Sequence, residues 1–440
     1  MSEHVILLSI PGLRPGDVTD ATPTLKRWAE AGAAAPLIPT FPCVTSPVQA
    51  SLWTGTPPDR HGIIANGFYH RDRQEIEFWV GRNPLIDGRQ IWDVLAASPG
   101  RTSAVWHAQN IKDAAADFIV TPAPIHEPDG TTKLWCYSKP DGLYQQLIDD
   151  LDPFPLQHYW GPLAGIPSTR WILAGARWLI ERQDPNFHYV YLPHLDYAAQ
   201  RFGPNAPQAN EALVALDEAL AEFDAFLERS PIAEDVVVLV VSEYAMTEVS
   251  KVVFPNRLLR DAGLAAIERG DDGETLDLAA SAAFAMVDHQ FAHVYCRDAQ
   301  ATERAAEVFA GVDGLAGVYA GAQRTEIGLD HRRSGEIVLV AEPDAWLAYY
   351  WWLEDQAAPA FARTVDIHRK PGYDPVELFV DRATRGIPLD ATLVLGSHGA
   401  PAGSPQQQAV VICSRPSSVV EADRRYRDVD VKGMVLDLLR

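Results

Sequence analysis

Cysteine is scarce and scattered. The chain of 440 residues has four, Cys43, Cys136, Cys296 and Cys413, and no two of them form a C-x-x-C pair. That spacing excludes a thiolate zinc knuckle and a disulfide framework, and it points to free thiols in a reducing compartment. Positive charge is also in short supply: 37 lysines and arginines face 59 aspartates and glutamates, a net charge of −22. No run of Lys and Arg offsets the deficit. A surface for nucleic acid or for an anionic membrane is therefore not expected. Apolar runs are short. None approaches the roughly 18–20 residues that span a bilayer, and the first residues show no leader with a cleavage site. The expectation is a cytoplasmic protein that binds neither nucleic acid nor membrane. Internal repeats and low-complexity tracts are absent as well.

What is there suits a large core. Hydrophobic residues make up 47% of the chain, enough for one large α/β domain or two ordinary ones. Short apolar runs read as buried strands: His4–Ile10, Thr102–Trp106, Phe118–Thr121, Phe187–Leu192, Val236–Val241, Leu393–Leu395 and Ala409–Cys413. Helical patterns lie between them, over Thr24–Ala34, Gln90–Ala97, 141–151, Ser168–Gln183, Asn210–Arg229 and 429–439. Strands alternating with helices predict a layered α/β sheet with its chemistry at strand ends. Residues 122–170 are rich in proline and aromatics, which either line a pocket or pack as core. Residues 255–385 read as an insertion. Within it, Phe291–Tyr295, Ala301–Ala310, Gly317–Tyr319 and Glu336–Ala341 alternate β-α-β-β, as a small lid would. The core then comprises 1–254 and 386–440.

The densest signal is 36–66. An apolar run ends at Pro42, Thr45 follows at a turn, and a helix-compatible stretch runs from Val48 to Trp53. Thr-Gly-x-x-Pro-x-x-His-Gly-Ile then leads to Asn66, which is 66 − 45 = 21 positions after Thr45. A hydroxyl at a strand-to-helix junction, where backbone N–H groups point outward, suits a nucleophile for an anionic phosphoryl group. Cys43 and Ser46 flank it and are the competing nucleophiles. This segment resembles the nucleophile loop of the alkaline phosphatase superfamily, in particular its nucleotide pyrophosphatase/phosphodiesterase branch. In that branch the segment reads Phe-Pro-x-x-Thr-x-Pro, with an Asn at the same interval.

The resemblance implies a three-layer αβα sandwich around a large, mostly parallel sheet. It implies Thr45 as nucleophile, Asn66 as a donor to a phosphoryl oxygen, and divalent metals, usually zinc, held by residues from four strand ends. Those segments are present here with altered residues. Pro11 stands where the family has an Asp. Asp196 is kept, but Gln200 replaces a His. Glu243 replaces an Asp, and Tyr244 replaces a His. Gly396-Ser397-His398-Gly399 keeps the last motif intact. Asp196 and His398 are thus the retained ligands. Glu243 is a candidate ligand or base, and Gln200 a weak neutral ligand. Replacement ligands are sought in Asp366-Ile367-His368, read as a possible strand with both ends facing one way, and in Asp374. His194, read on one strand face with Asp196, and Asp288, His289 and His293 are further candidates. The ligand count favours one tightly bound divalent ion, zinc or a harder ion such as manganese or magnesium. The implied activity is a metal-dependent phosphoryl-transfer hydrolase of the phosphodiesterase/nucleotide pyrophosphatase kind, acting on a small-molecule phosphate ester or phosphodiester. The rival readings are a phosphatase, phosphonate hydrolase or mutase on the same frame, and a non-catalytic phosphate-ester binding protein.

Overall fold

Val236–Val241 is six apolar residues long, and all six are buried. Val237, Leu239 and Val241 enter the core on one face of the sheet, and Val236, Val238 and Val240 enter the core on the other. Each such side chain contributes roughly 1.5–3 kcal/mol on burial, so a strand of this composition is held only between two covered faces. His4–Ser9 beside it alternates in the same way, with Val5 and Leu7 on one side and Ile6 and Leu8 on the other.

The computed structural model describes residues 3–126 and 132–440. Its central sheet has nine strands. In spatial order they are Tyr426–Arg427, Ala33–Ile38, Ala409–Cys413, Val236–Val241, His4–Ser9, Phe187–Tyr191, Ser103–Trp106, Phe118–Pro122 and Cys136–Lys139. The middle of the sheet is parallel, from Val236–Val241 through Phe118–Pro122. Ala409–Cys413 runs antiparallel to both its neighbours, and Cys136–Lys139 is antiparallel at one edge. The helices Thr45–Thr54 and Val431–Leu438 cover one face. Pro23–Ala31, Ile166–Gln183 and Pro207–Leu227 cover the other. The architecture is the expected three-layer α/β sandwich.

Between Val241 and Ala409 the chain builds a four-stranded antiparallel sheet, in the order Ala283–Asp288, Phe291–Cys296, Ile337–Ala341, Leu315–Ala320, with the helix Ala299–Phe309. It has its own apolar cluster. Its first two strands form a hairpin whose turn is His289-Gln290.

Three local expectations fail for identifiable reasons. Leu393–Leu395 does not join the main sheet. It belongs to a short 3-10 turn, Ala391–Leu393, and an extended step in which Leu395 is 43% exposed. Asp366-Ile367-His368 is a turn rather than a strand, so its alternation confers no common face. His194 opens the helix His194–Phe202, so it and Asp196 do not share a strand face. All four cysteines are free, as their spacing implied, and all four are buried. Among the described residues no helix is long and apolar enough to cross a membrane.

Candidate active site

Three parallel strand ends lie in register: Ser9 pairs with Tyr191 on one side and Val241 on the other. The residues that follow them converge. Gly12 N–H donates to the carbonyl of Tyr244 at 3.0 Å, tying the first strand's exit to the third's. The helix after Tyr191 brings in Asp196. Thr45 arrives from the adjacent layer as the first residue of its helix, after Val44 in extended conformation. That start lies three residues before the apolar stretch that signalled it, so Thr45 sits at the positive end of a ten-residue helix.

The side chains form a connected set. Thr45 Oγ1 is 3.2 Å from Tyr244 Oη, and Tyr244 Oη donates to Asp196 Oδ2 at 2.8 Å. The Tyr244 ring stacks on the His398 ring at 3.5 Å and 8°. His398 Nδ1 lies 2.8 Å from the carbonyl of Cys43. Since a carbonyl only accepts, the imidazole carries its proton on Nδ1, and burial holds its pKa well below the usual value, so the ring is neutral. His289 lies against both His398, at 3.9 Å, and Tyr373, at 3.5 Å.

Burial governs the carboxyls. It pushes Asp196 up to about 7, against the lowering effect of the Tyr244 hydroxyl. It pushes Glu243 up to about 8, against the Ser9 and Gln49 donors. Glu243 Oε1 accepts from Ser9 Oγ at 2.6 Å, Gln49 Nε2 at 2.8 Å and Tyr189 Oη at 3.4 Å. Asp288 rises to about 6 by burial, offset by Asn66.

A cleft of about 610 Å³ opens over Thr45, Asp196, Tyr244 and His289. Its walls are aromatic and apolar: Trp79, Tyr159, Trp160, Tyr197 and Tyr373, with Leu134, Leu156 and Val365. Tyr159 and Trp160 come from the proline- and aromatic-rich excursion, whose Tyr144 and Phe154 pack instead in the core. Among the described residues no lysine or arginine lines it.

The sequence candidates divide accordingly. Of Cys43, Thr45 and Ser46, only Thr45 lines the cleft. Burial raises the Cys43 thiol far above its ordinary value and keeps it protonated. Asn66 sits one layer back: its Oδ1 accepts from Ser46 N–H at 2.9 Å, and its Nδ2 donates to Asp288 Oδ1 at 3.1 Å. It braces the start of the Thr45 helix. Asp366 and His368 lie at the cleft wall. Asp374 does not line it. Asp374 Oδ2 accepts from the buried Lys370 ammonium at 2.8 Å, which neutralises it. His293 Nε2 is 3.1 Å from the carbonyl of Ile64, a structural contact.

These residues do not fit a divalent ion. Pro11 offers no side-chain donor. Tyr373 Oη donates to Gln200 Oε1 at 2.7 Å, and hydroxyl and amide donors take Asp196 Oδ2 and Glu243 Oε1, which leaves a single oxygen of each carboxyl, Asp196 Oδ1 and Glu243 Oε2, without a partner. Among the described residues no three His, Cys, Asp or Glu side chains are grouped so as to hold a metal. The expected ligands Asp196, His398, Glu243, Gln200, Asp366, His368 and Asp374 are therefore not brought together as a coordination shell.

Tyr244 was legible in the sequence only as a lost ligand, and its contact with Thr45 spans 199 positions. Tyr373 follows a Pro-Gly turn, which could have marked it as a projecting side chain. Nothing local marked Trp79.

A profile described as type I phosphodiesterase / nucleotide pyrophosphatase matches residues 5–374. An uncharacterised pyrophosphatase/phosphodiesterase of Schizosaccharomyces pombe is 24% identical over 260 residues, 58% of this chain and 46% of that relative. This chain thus spans about half the length of that relative. Phosphonoacetate hydrolase from Sinorhizobium meliloti, in complex with phosphonoacetate, superposes with a TM-score of 0.67 at 18% identity, over 99% of this chain and 96% of that one. Murine ectonucleotide pyrophosphatase / phosphodiesterase 5, as an inactive variant with AMP, superposes with a TM-score of 0.64 at 15% identity, over 99% and 94%.

Proposed function

Because the chain belongs to the type I phosphodiesterase / nucleotide pyrophosphatase family, a family of hydrolases, we propose that it is a phosphoryl-transfer hydrolase with Thr45 as its nucleophile. The observation that carries this reading is the placement of Thr45. Of Thr45 and its flanking candidates Cys43 and Ser46, it alone lines the cleft, it begins a buried helix, and its hydroxyl is hydrogen-bonded within the site. Thr45 Oγ attacks phosphorus in line. The P–Oγ bond forms as the bond to the leaving oxygen breaks, and water later displaces the phosphoryl group from Thr45.

The lining supports a phosphodiester as the substrate class. A cleft lined by no lysine or arginine among the described residues accommodates one negative charge far more cheaply than two, since the cost of removing an ion from water rises steeply with its charge. The aromatic walls suit an apolar or ring-bearing ester group. The incomplete donor set favours a second reading, a phosphodiester-binding protein without turnover.

Turnover of an activated aryl phosphodiester separates them. Thr45→Ala is expected to lower kcat by ~10³-fold or more, while Thr45→Ser retains part of the activity. Full activity in Thr45→Ala, with loss in Cys43→Ala or Ser46→Ala, would overturn the assignment. Binding of the diester without turnover by the unaltered chain would establish the second reading.

A further inference from the structure

We propose that the hydroxyl of Tyr244 stands between Thr45 and Asp196 in place of a metal ion and relays the Thr45 proton to Asp196. The proposal rests on Thr45 as nucleophile.

The geometry is that of direct contact. Tyr244 Oη lies 3.2 Å from Thr45 Oγ1 and 2.8 Å from Asp196 Oδ2. An ion shared by those two oxygens would need each within about 2.0–2.2 Å, and the phenol occupies the space between them. Tyr244 Oη donates to Asp196 Oδ2, and when Asp196 is ionised, the state in which it takes a proton, this is the direction the bond must have. The Tyr244 proton therefore points to Asp196, and its oxygen is left to accept from Thr45. The result is an ordered chain, Thr45 Oγ–H to Tyr244 Oη–H to Asp196 Oδ2.

The tyrosine is fixed from several sides. Its ring lies flat on His398 at 3.5 Å, its carbonyl accepts from Gly12 N–H at 3.0 Å and from Ser242 Oγ at 3.0 Å, and its side chain is buried. No cation is needed to hold Glu243, whose burial favours the neutral carboxyl. Hydroxyl and amide donors of Ser9, Gln49 and Tyr189 converge on Glu243 Oε1. Hydrogen bonds of this kind stabilise a buried carboxyl without an ion.

Atoms balance in the step. As Thr45 Oγ bonds to phosphorus, its proton passes to Tyr244 Oη, and the Tyr244 proton passes to Asp196 Oδ2. The leaving oxygen departs with the electron pair of its bond to phosphorus. On hydrolysis water adds to phosphorus and gives up a proton to solvent. The electron pair of the P–Oγ bond returns to Thr45, and the chain runs in reverse to restore its hydroxyl.

The test pairs metal content with turnover. The unaltered chain, purified without chelator and dialysed against zinc and then manganese, is measured by elemental analysis. The expected content is well below one ion per chain, with turnover of an aryl phosphodiester unchanged by a chelator. Tyr244→Phe keeps the stacked ring and deletes only the hydroxyl. It is expected to lower kcat about 100-fold or more with KM little changed. Tyr244→His is expected to raise the bound zinc above that of the unaltered chain. A stoichiometric ion in the unaltered chain, or full kcat in Tyr244→Phe, overturns the proposal and leaves Thr45 as nucleophile standing. A metal-free chain with no turnover removes the hydrolase reading and, with it, the relay.

Discussion

Asp428 holds the stretch that leads into Thr45. Its Oδ2 accepts from Thr40 N–H at 2.9 Å, and its Oδ1 from Thr40 Oγ1 at 2.6 Å and from Val429 N–H at 2.9 Å. Burial nevertheless raises its pKa from 3.8 to about 6. The folded state therefore keeps a proton that the unfolded chain gives up above 3.8. The stability from this group is fully present below that value and is lost as pH rises through about 6. Asp428→Asn should remove this dependence. The stability of the wild type relative to the variant is expected to fall by up to roughly 3 kcal/mol between pH 4 and pH 7, read from urea melts. A difference that stays constant over that range would contradict it. At this scale the place of Thr45 at a helix start was legible, because its motif is contiguous, whereas Asn66, expected to reach a phosphoryl oxygen, has its side chain on Ser46 N–H and Asp288 instead. Asp428 and Tyr244 were not legible, because their roles lie in contacts across the fold.

The segment around Lys370 shows how an element fixes the cleft wall. The buried Lys370 ammonium is 2.8 Å from Asp374 and 2.7 Å from Glu377. Glu377 in turn accepts from Trp160 Nε1 at 2.5 Å and from Asp366 N–H at 2.9 Å. Asp374 also caps the short helix Pro375–Leu378 through Val376 N–H. Two pieces of cleft wall, Trp160 and Asp366–His368, thus hang from one buried cation. Lys370→Met strands two buried carboxylates and is expected to cost roughly 3–5 kcal/mol, with KM rising for a diester whose aryl group rests on Trp160. A cost below about 1 kcal/mol in a denaturant melt would show that the wall does not depend on this ion pair. The strand Val236–Val241 was legible because its run is long and β-branched. Leu393–Leu395 and Asp366–His368 were misread because three residues are too few to separate a strand from an extended turn.

Across the whole molecule, parallel strands put their carboxyl ends in one place, and Ser9, Tyr191 and Val241 share that register. The inserted sheet meets the same place through its hairpin turn, where His289 adopts φ 60°, a strained conformation for a side chain of this size. We propose that this region acts as a lid, with His289 and Tyr373 its contacts with the site. The order of the long apolar strands and the helices between them was legible in the sequence, but Cys136–Lys139 and Tyr426–Arg427 were not read as strands, and the helix expected over Thr24–Ala34 ends at Ala31, where the strand Ala33–Ile38 follows. The insertion of Ala409–Cys413 as an antiparallel strand between Ala33–Ile38 and Val236–Val241 was not legible either, because nothing in an apolar run specifies its neighbours.

The convergence of these ends on Thr45 is the central claim, and trapping the covalent species tests it most directly. The chain is mixed with excess aryl phosphodiester, quenched within a single turnover, digested and examined by peptide mass spectrometry. A phosphoryl ester on the peptide containing Thr45, localised to that residue and absent from Thr45→Ala, is the result expected. Turnover at the same rate with no adduct, or with the adduct on Ser46 or Cys43, would contradict it.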